Sequence, residues 1–259
     1  MQSMQTRSSF ERKVGRCLDV RSILLILHVL CIVAHASMVV LMTTDTEFMD
    51  TRFDIFRIAA NENRTFVLKP IGDINLAAFL VTFEGFTFLA HCFYLWMEIA
   101  HPANDKEYNL YRWFEYSITA SIMTVVIMVL STITDIYALI MGFGLTHVTM
   151  IFGAIQDLYK PPYLAAWIAG CIPFIFVWFV IIYQFILTVM GSKAPDFVYA
   201  IIWVEFALFS CFAVVQACYH LRKSYLAEYI HFEIVYAILS LVAKLSLTLL
   251  AFFGIKSIK

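Results

Sequence analysis

Charge is what this 259-residue sequence has little of: Lys, Arg, Asp and Glu together make up 14 % of it. Soluble domains carry about 25 %, so a water-facing shell around an ordinary core is excluded for most of the chain. The 18 basic and 19 acidic residues leave a formal charge of −1. No basic cluster is dense enough to track phosphates, which removes nucleic acid from the partners. Chemistry-bearing motifs are also missing. There is no nucleophile elbow and no metal-ligand spacing among His, Asp and Glu, so the chain does not read as an enzyme. The six cysteines, at 17, 31, 92, 171, 211 and 218, form neither a zinc pattern nor a disulfide framework and read as small buried hydrophobes. No cleavable leader is expected either: the polar, basic first twenty residues are followed by an apolar stretch too long for a signal-peptide core, which should remain as the first span.

What is present is hydrocarbon-loving sequence, 62 % of the residues. Windows of about 20 apolar residues, the length that spans a bilayer, fall at 22–42, 74–98, 110–133, 136–157, 163–190, 197–219 and 229–254. The fold class is therefore all-α, a seven-helix membrane domain over 22–255, with an N-terminal segment 1–21, a loop 43–72 and a tail 256–259. The break around Thr134-Asp135 is the shortest. Basic residues resist translocation, and Arg7, Arg12, Lys13, Arg16, Arg21, Lys106, Arg112, Lys160, Arg222 and Lys223 share one side. That places the N-terminus in the cytoplasm and the C-terminus outside. The loop 43–72 then faces outward with a glycosylation triplet, Asn63-Arg64-Thr65, and alternating stretches such as Arg64 to Lys69 suited to a small strand pair.

Ionisable residues inside a span are costly and point to function. Lys244 lies eleven residues from Glu233 and eleven from Ile255. At 1.5 Å per residue that is roughly 16 Å from either end, the middle of the hydrocarbon. A buried amine can shed its proton, pair with a carboxylate, or form an imine with a carbonyl compound. Glu115, just inside the third span, is the natural partner for a cation there. A plain Lys–Glu pair fixing two helices, and an interfacial Arg112–Glu115 pair, are the structural alternatives. Trp178, Trp203, Phe206, Met150 and Met123 are available to line a long apolar pocket, although such residues on spans are often plain packing.

The segments Arg112-Trp113-Phe114-Glu115-Tyr116-Ser117 and Glu233 to Lys244 resemble the third- and seventh-helix signatures of the heliorhodopsins. Asp135 to Leu139, Met150 to Gly153 and Phe197 to Ile201 add to the likeness, which covers nearly all of the chain beyond residue 20. The resemblance implies a rhodopsin bundle of inverted topology that binds all-trans retinal, and a homodimer in the bilayer. It implies Lys244 as the Schiff-base lysine, Glu115 as the counterion and Ser240 as a hydroxyl one turn away. It also implies His35 and His91 as histidines near the chromophore, against the alternative that they are interhelical donors. Ion-pumping microbial rhodopsins carry further carboxylates where this chain has Ser240 and Val126, so an outward pump on that plan is not expected.

Four further carboxylates are conspicuous. Glu205 sits mid-span in Ile202 to Ala207. Glu84, His91 and Glu98 recur every seven residues on nearly one helical face, and Glu233 shares a face with Lys244. Chains of Asp, Glu and His in membranes serve as proton relays, with protonated acids bonding neighbouring helices as the alternative. Glu205 makes the sequence resemble a giant-virus branch of the family that conducts protons. The expected function is a light-gated passive proton channel in a cell or viral membrane, its proton pathway drawn from Glu205, Glu84, Glu233 and Arg112. A slow-cycling light sensor signalling to an unknown partner is the alternative.

Overall fold

In the computed structural model the described residues are 2–60, 65–100, 109–159, 163–222, 226 and 228–258, with side chains from Val20 onward apart from that of Phe66. The Asn63-Arg64-Thr65 triplet falls largely outside them, as do the basic residues 106, 160 and 223. The order is α1 (Gln2–Thr44), α2 (Thr46–Met49), β1 (Arg52–Ala60), β2 (Phe66–Asn75), α3 (Leu76–Ala100), α4 (Leu110–Leu130), α5 (Ile136–Leu158), α6 (Ala165–Gly191), α7 (Asp196–His220) and α8 (Tyr229–Ile258). Seven helices are long and apolar enough to cross a membrane, Val20–Thr44 within α1 and the whole of α3 to α8. Their ends lie within four residues of those expected from hydropathy. The chain is a multi-pass integral membrane protein.

α3, α4 and α5 start where a side chain satisfies a free N–H group of the first turn. Asn109 accepts from Arg112 N at 3.1 Å, Asp135 from Ala138 N at 3.0 Å, and Asn75 from Ala78 N at 2.8 Å. The α4–α5 break, the shortest in the sequence, is a tight turn in which Thr132 adopts a left-handed φ of 66°. The loop between α1 and α3 holds an antiparallel hairpin, Arg52 opposite Asn75 through Ala60 opposite Phe66, with a register shift at Ile55/Phe56. These strands are longer than the alternating stretches in the sequence suggested. Phe56 N donates to Thr134 O at 3.0 Å, which latches the hairpin to the α4–α5 turn. At the same end Lys256 pairs with Asp45 and holds that carboxyl below its ordinary range.

The helices form a ring, each packed on the next, closed by α1 against α8. α4 is the innermost, with 78 % of its span buried against protein. The outer faces are apolar: on α6, Ile168, Ile172, Ile175, Phe176 and Phe179 point away from the bundle, toward what is lipid in the membrane. Trp203 is also turned outward, so it does not line an internal pocket.

Candidate functional site

Lys244 and Glu115 meet in the core. The Lys244 ammonium bonds Glu115 Oε1, and both side chains are almost completely buried. The same oxygen accepts from Thr87 Oγ1 of α3 at 3.1 Å and from Thr119 Oγ1, one turn along α4, at 3.0 Å. Glu115 Oε2 has no hydrogen-bond partner among the described residues. Stacked close by, the Tyr116 ring lies 5.2 Å from Lys244 Nζ. A charge pair in low dielectric needs such satisfaction of its remaining lone pairs to be tolerated.

Lys244 also opens onto a cavity of about 790 Å³ between wall atoms, part of it open to the outside. α4, α5, α6, α7 and α8 supply its walls. Trp113, Met123, Met150, Trp167, Phe174, Phe209 and Phe212 make most of it apolar or aromatic, with Ser240 beside Lys244 on α8. Two expected wall residues lie elsewhere: Trp178 and Phe206 pack on each other, ring centroids 5.3 Å apart, outside the cavity lining. Glycine makes room at one point, since a Cβ on Gly153 would collide with the Trp113 ring. An elongated apolar carbonyl compound fits these residues: a single amine on an apolar wall, and a carboxylate with one oxygen free to face a cation.

His35 and His91 do not line this cavity. They form a second cluster between α1, α3 and α8, in which His35 Nδ1 bonds Glu84 Oε2 and Thr248 Oγ1 bonds Glu84 Oε1. His91 stacks on His35 with centroids 5.8 Å apart and meets His28 through Nδ1 atoms 3.0 Å apart. A third cluster lies at the end of the bundle away from the hairpin. There Arg112 bonds Glu233 and, at 2.7 Å, Asp157 Oδ2, which also accepts from Trp113 Nε1 at 2.6 Å. The Arg112 guanidinium lies 4.7 to 5.2 Å from the ring centroids of Trp113, Phe232 and Tyr236, within cation–π range. Arg112 therefore pairs with Glu233 and Asp157, and the interfacial Arg112–Glu115 pair does not form. Glu205 stands alone on α7: fully buried, it accepts from Ser246 Oγ at 2.7 Å through Oε1, and its Oε2 is unpartnered among the described residues. Glu98 is apart from Glu84 and His91, at the helix end, where Arg21 of α1 pairs with it at 3.7 Å.

Sequence reasoning missed Asp157, Thr87, Thr119, Ser246, Thr248, His28 and His220. Asp157 reads as an interfacial residue near the end of its span. The hydroxyls are too common on membrane helices to stand out, although Thr119 four residues after Glu115 was a readable signal.

With this geometry in hand, the family model described as heliorhodopsin matches residues 20–255. The chain belongs to the heliorhodopsin family. Membership implies a retinal chromophore, and the cavity beside Lys244 is suited to one. No curated protein matches the chain. Among solved structures, xanthorhodopsin, a light-driven ion pump with dual chromophore, is similar with a TM-score of 0.70 at 11 % identity, covering 92 % of this chain and 94 % of that one. A cyanorhodopsin from Tolypothrix sp. NIES-4075 gives 0.68 at 13 % identity, covering 89 % and 93 %. Exiguobacterium sibiricum rhodopsin gives 0.67 at 13 % identity, covering 92 % and 98 %. At these identities the heliorhodopsin shares with them the microbial rhodopsin fold.

Proposed function

We propose that this heliorhodopsin is a light-gated passive proton channel, with all-trans retinal on Lys244, Glu115 as its counterion, the N-terminus in the cytoplasm and two copies paired in the membrane. Bound there as a Schiff base, retinal supplies light absorption and a change of shape on photoisomerisation. One observation carries the reading: α8 holds a partner for each of three buried carboxylates and carries a fourth acid itself. Lys244 bonds Glu115, Ser246 bonds Glu205, Thr248 bonds Glu84, and Glu233 of α8 is itself the acid bonded by Arg112. A displacement that starts at Lys244 therefore loosens acids on α3, α4 and α7 together. Glu205 and Glu84 lie in the hairpin half of the bundle and Glu233 and Asp157 in the other, so acids stand in both halves of the route a proton has to cross. Light shifts the population toward the loosened arrangement, and the proton gradient then sets the direction of flow.

A slow-cycling sensor is favoured by a different observation. Val126, Ile127, Ile201, Ile202 and Leu247 are all fully buried in the hairpin half, and no hydrogen-bond chain among the described residues joins Glu205 to Lys244. Whole-cell recording in retinal-supplied cells separates the two. A light-evoked current that reverses with the proton gradient and collapses in Glu205→Gln supports the channel. A photocycling protein that passes no such current is the sensor.

A further inference from the structure

The cluster around Arg112 leaves one charge uncancelled. Its guanidinium faces two carboxylates, Asp157 and Glu233, so with both ionised the three sum to −1 (+1 − 1 − 1). The side chains of Arg112, Asp157 and Glu233 are only 4 %, 0 % and 12 % exposed, where an uncompensated charge is costly. Tyr229 donates its hydroxyl to Glu233. Asp157 Oδ2 is occupied by Arg112 and Trp113. Its other oxygen, Oδ1, has a long contact of 3.4 Å from Gln216 Nε2 and lies 3.5 Å from Nε2 of His220.

His220 is the last residue of α7, its side chain 1 % exposed, and neither ring nitrogen makes a hydrogen bond among the described residues. Facing it are Asp157 from α5 and its chain neighbour Tyr219, with rings 5.0 Å apart, whose ring also meets the Arg222 guanidinium at 5.5 Å; through Asp157 it is joined to Arg112 of α4, which in turn bonds Glu233 and lies over Tyr236 of α8, and Glu233 accepts from Tyr229. Arg112 and the tyrosines offer no basic lone pair at neutral pH, which leaves the imidazole as the free acceptor beside the excess negative charge.

We infer that Asp157 and His220 form a proton-binding site at the end of the bundle away from the hairpin. A hydronium ion on that side gives up its proton to an imidazole lone pair: one O–H bond breaks, one N–H bond forms and faces Asp157 Oδ1, and neutral water is left. The cluster then sums to zero; release reverses the same step. Gln216 and Trp113 hydrogen-bond Asp157 and also line the chromophore cavity, so pressure on that wall alters the hold on the proton. This last coupling rests on the photoreceptor reading, whereas the dark proton does not.

The dark site is tested by solid-state NMR of the full chain, labelled with ¹⁵N-histidine, in lipid nanodiscs at neutral pH. The seven histidines of the sequence are expected to give an imidazolium resonance that disappears in His220→Gln and becomes that of a neutral ring in Asp157→Asn. A spectrum unchanged by His220→Gln overturns the site, and so does an imidazolium that persists in Asp157→Asn. Should His220→Gln fail to fold, the Asp157→Asn arm decides alone. Light-minus-dark infrared spectra test the coupling: a histidine ring band lost in His220→Gln supports it, and a difference spectrum indifferent to that substitution overturns it. Failure of the photoreceptor reading looks different, as no light-induced difference at all with the dark resonance still in place.

Discussion

Ser246 on α8 donates its hydroxyl to Glu205 on α7 at 2.7 Å. Two residues earlier on the same helix, Lys244 bonds Glu115 on α4. A two-residue step turns a helix by about 200°, so α8 holds the two acids on nearly opposite faces. Removing the Ser246 hydroxyl in Ser246→Ala leaves Glu205 with no bond from α8. The expected cost is about 0.5–1.5 kcal/mol, read as a lower midpoint of thermal bleaching, with a light-evoked current smaller or slower than the parent's.

Lys244→Ala removes the amine at the cavity wall. The retinal-supplied protein is expected to lose its visible absorption band entirely while keeping its helical circular dichroism. A band that survives the substitution contradicts the assignment of Lys244.

Arg112→Gln leaves Asp157 and Glu233 buried without their cation. Breaking a buried pair from one side costs about 3–5 kcal/mol, and the lost contacts with Trp113, Phe232 and Tyr236 add to it. The expected result is a protein that bleaches at markedly lower temperature. An Arg112→Gln, Asp157→Asn, Glu233→Gln triple substitution, which removes all three charges, is expected to recover much of the loss.

Gly153 permits the close approach of Trp113. Gly153→Ala is expected to destabilise by about 1–3 kcal/mol through overpacking and to shift the absorption maximum, because Trp113 is part of the cavity wall. Gly144→Ala, on the same helix with open space around its Cβ, is the control and is expected to leave the spectrum unchanged.

At the hairpin end, the Lys256 ammonium lowers the Asp45 carboxyl below its ordinary value of 3.8. A depressed carboxyl contributes stability that is fully present above that value and is lost as pH falls through the lowered one. Lys256→Gln is therefore expected to bleach slightly earlier than the parent at neutral pH. The difference closes in acid below the ordinary value, and it shrinks in high salt because the pair is exposed.

The spans were legible because hydrocarbon imposes a length, and a run of that length has few other readings. Lys244 and Glu115 were legible for a related reason: a charge in the middle of such a run demands a partner, and Glu115, just inside the third span, was the natural one. Inward-facing histidines were harder. His35 and His91 are both buried, but only coordinates reveal that His35 bonds Glu84 while His91 stacks on His35 and meets His28, outside the cavity lining. Asp157 and His220 were invisible for a different reason, since acids and imidazoles at span ends are ordinary at a water boundary. Their burial depends on how α5 and α7 tilt against α4, which no periodicity encodes.

The bond from Phe56 to Thr134 makes the hairpin a lever fixed to the turn that follows the most enclosed helix of the bundle. Any shift of α4 that follows the release of Glu115 is carried by this lever to a two-stranded blade beyond the membrane-spanning ends, where a probe attached to β1 can register a motion that begins in the hydrocarbon.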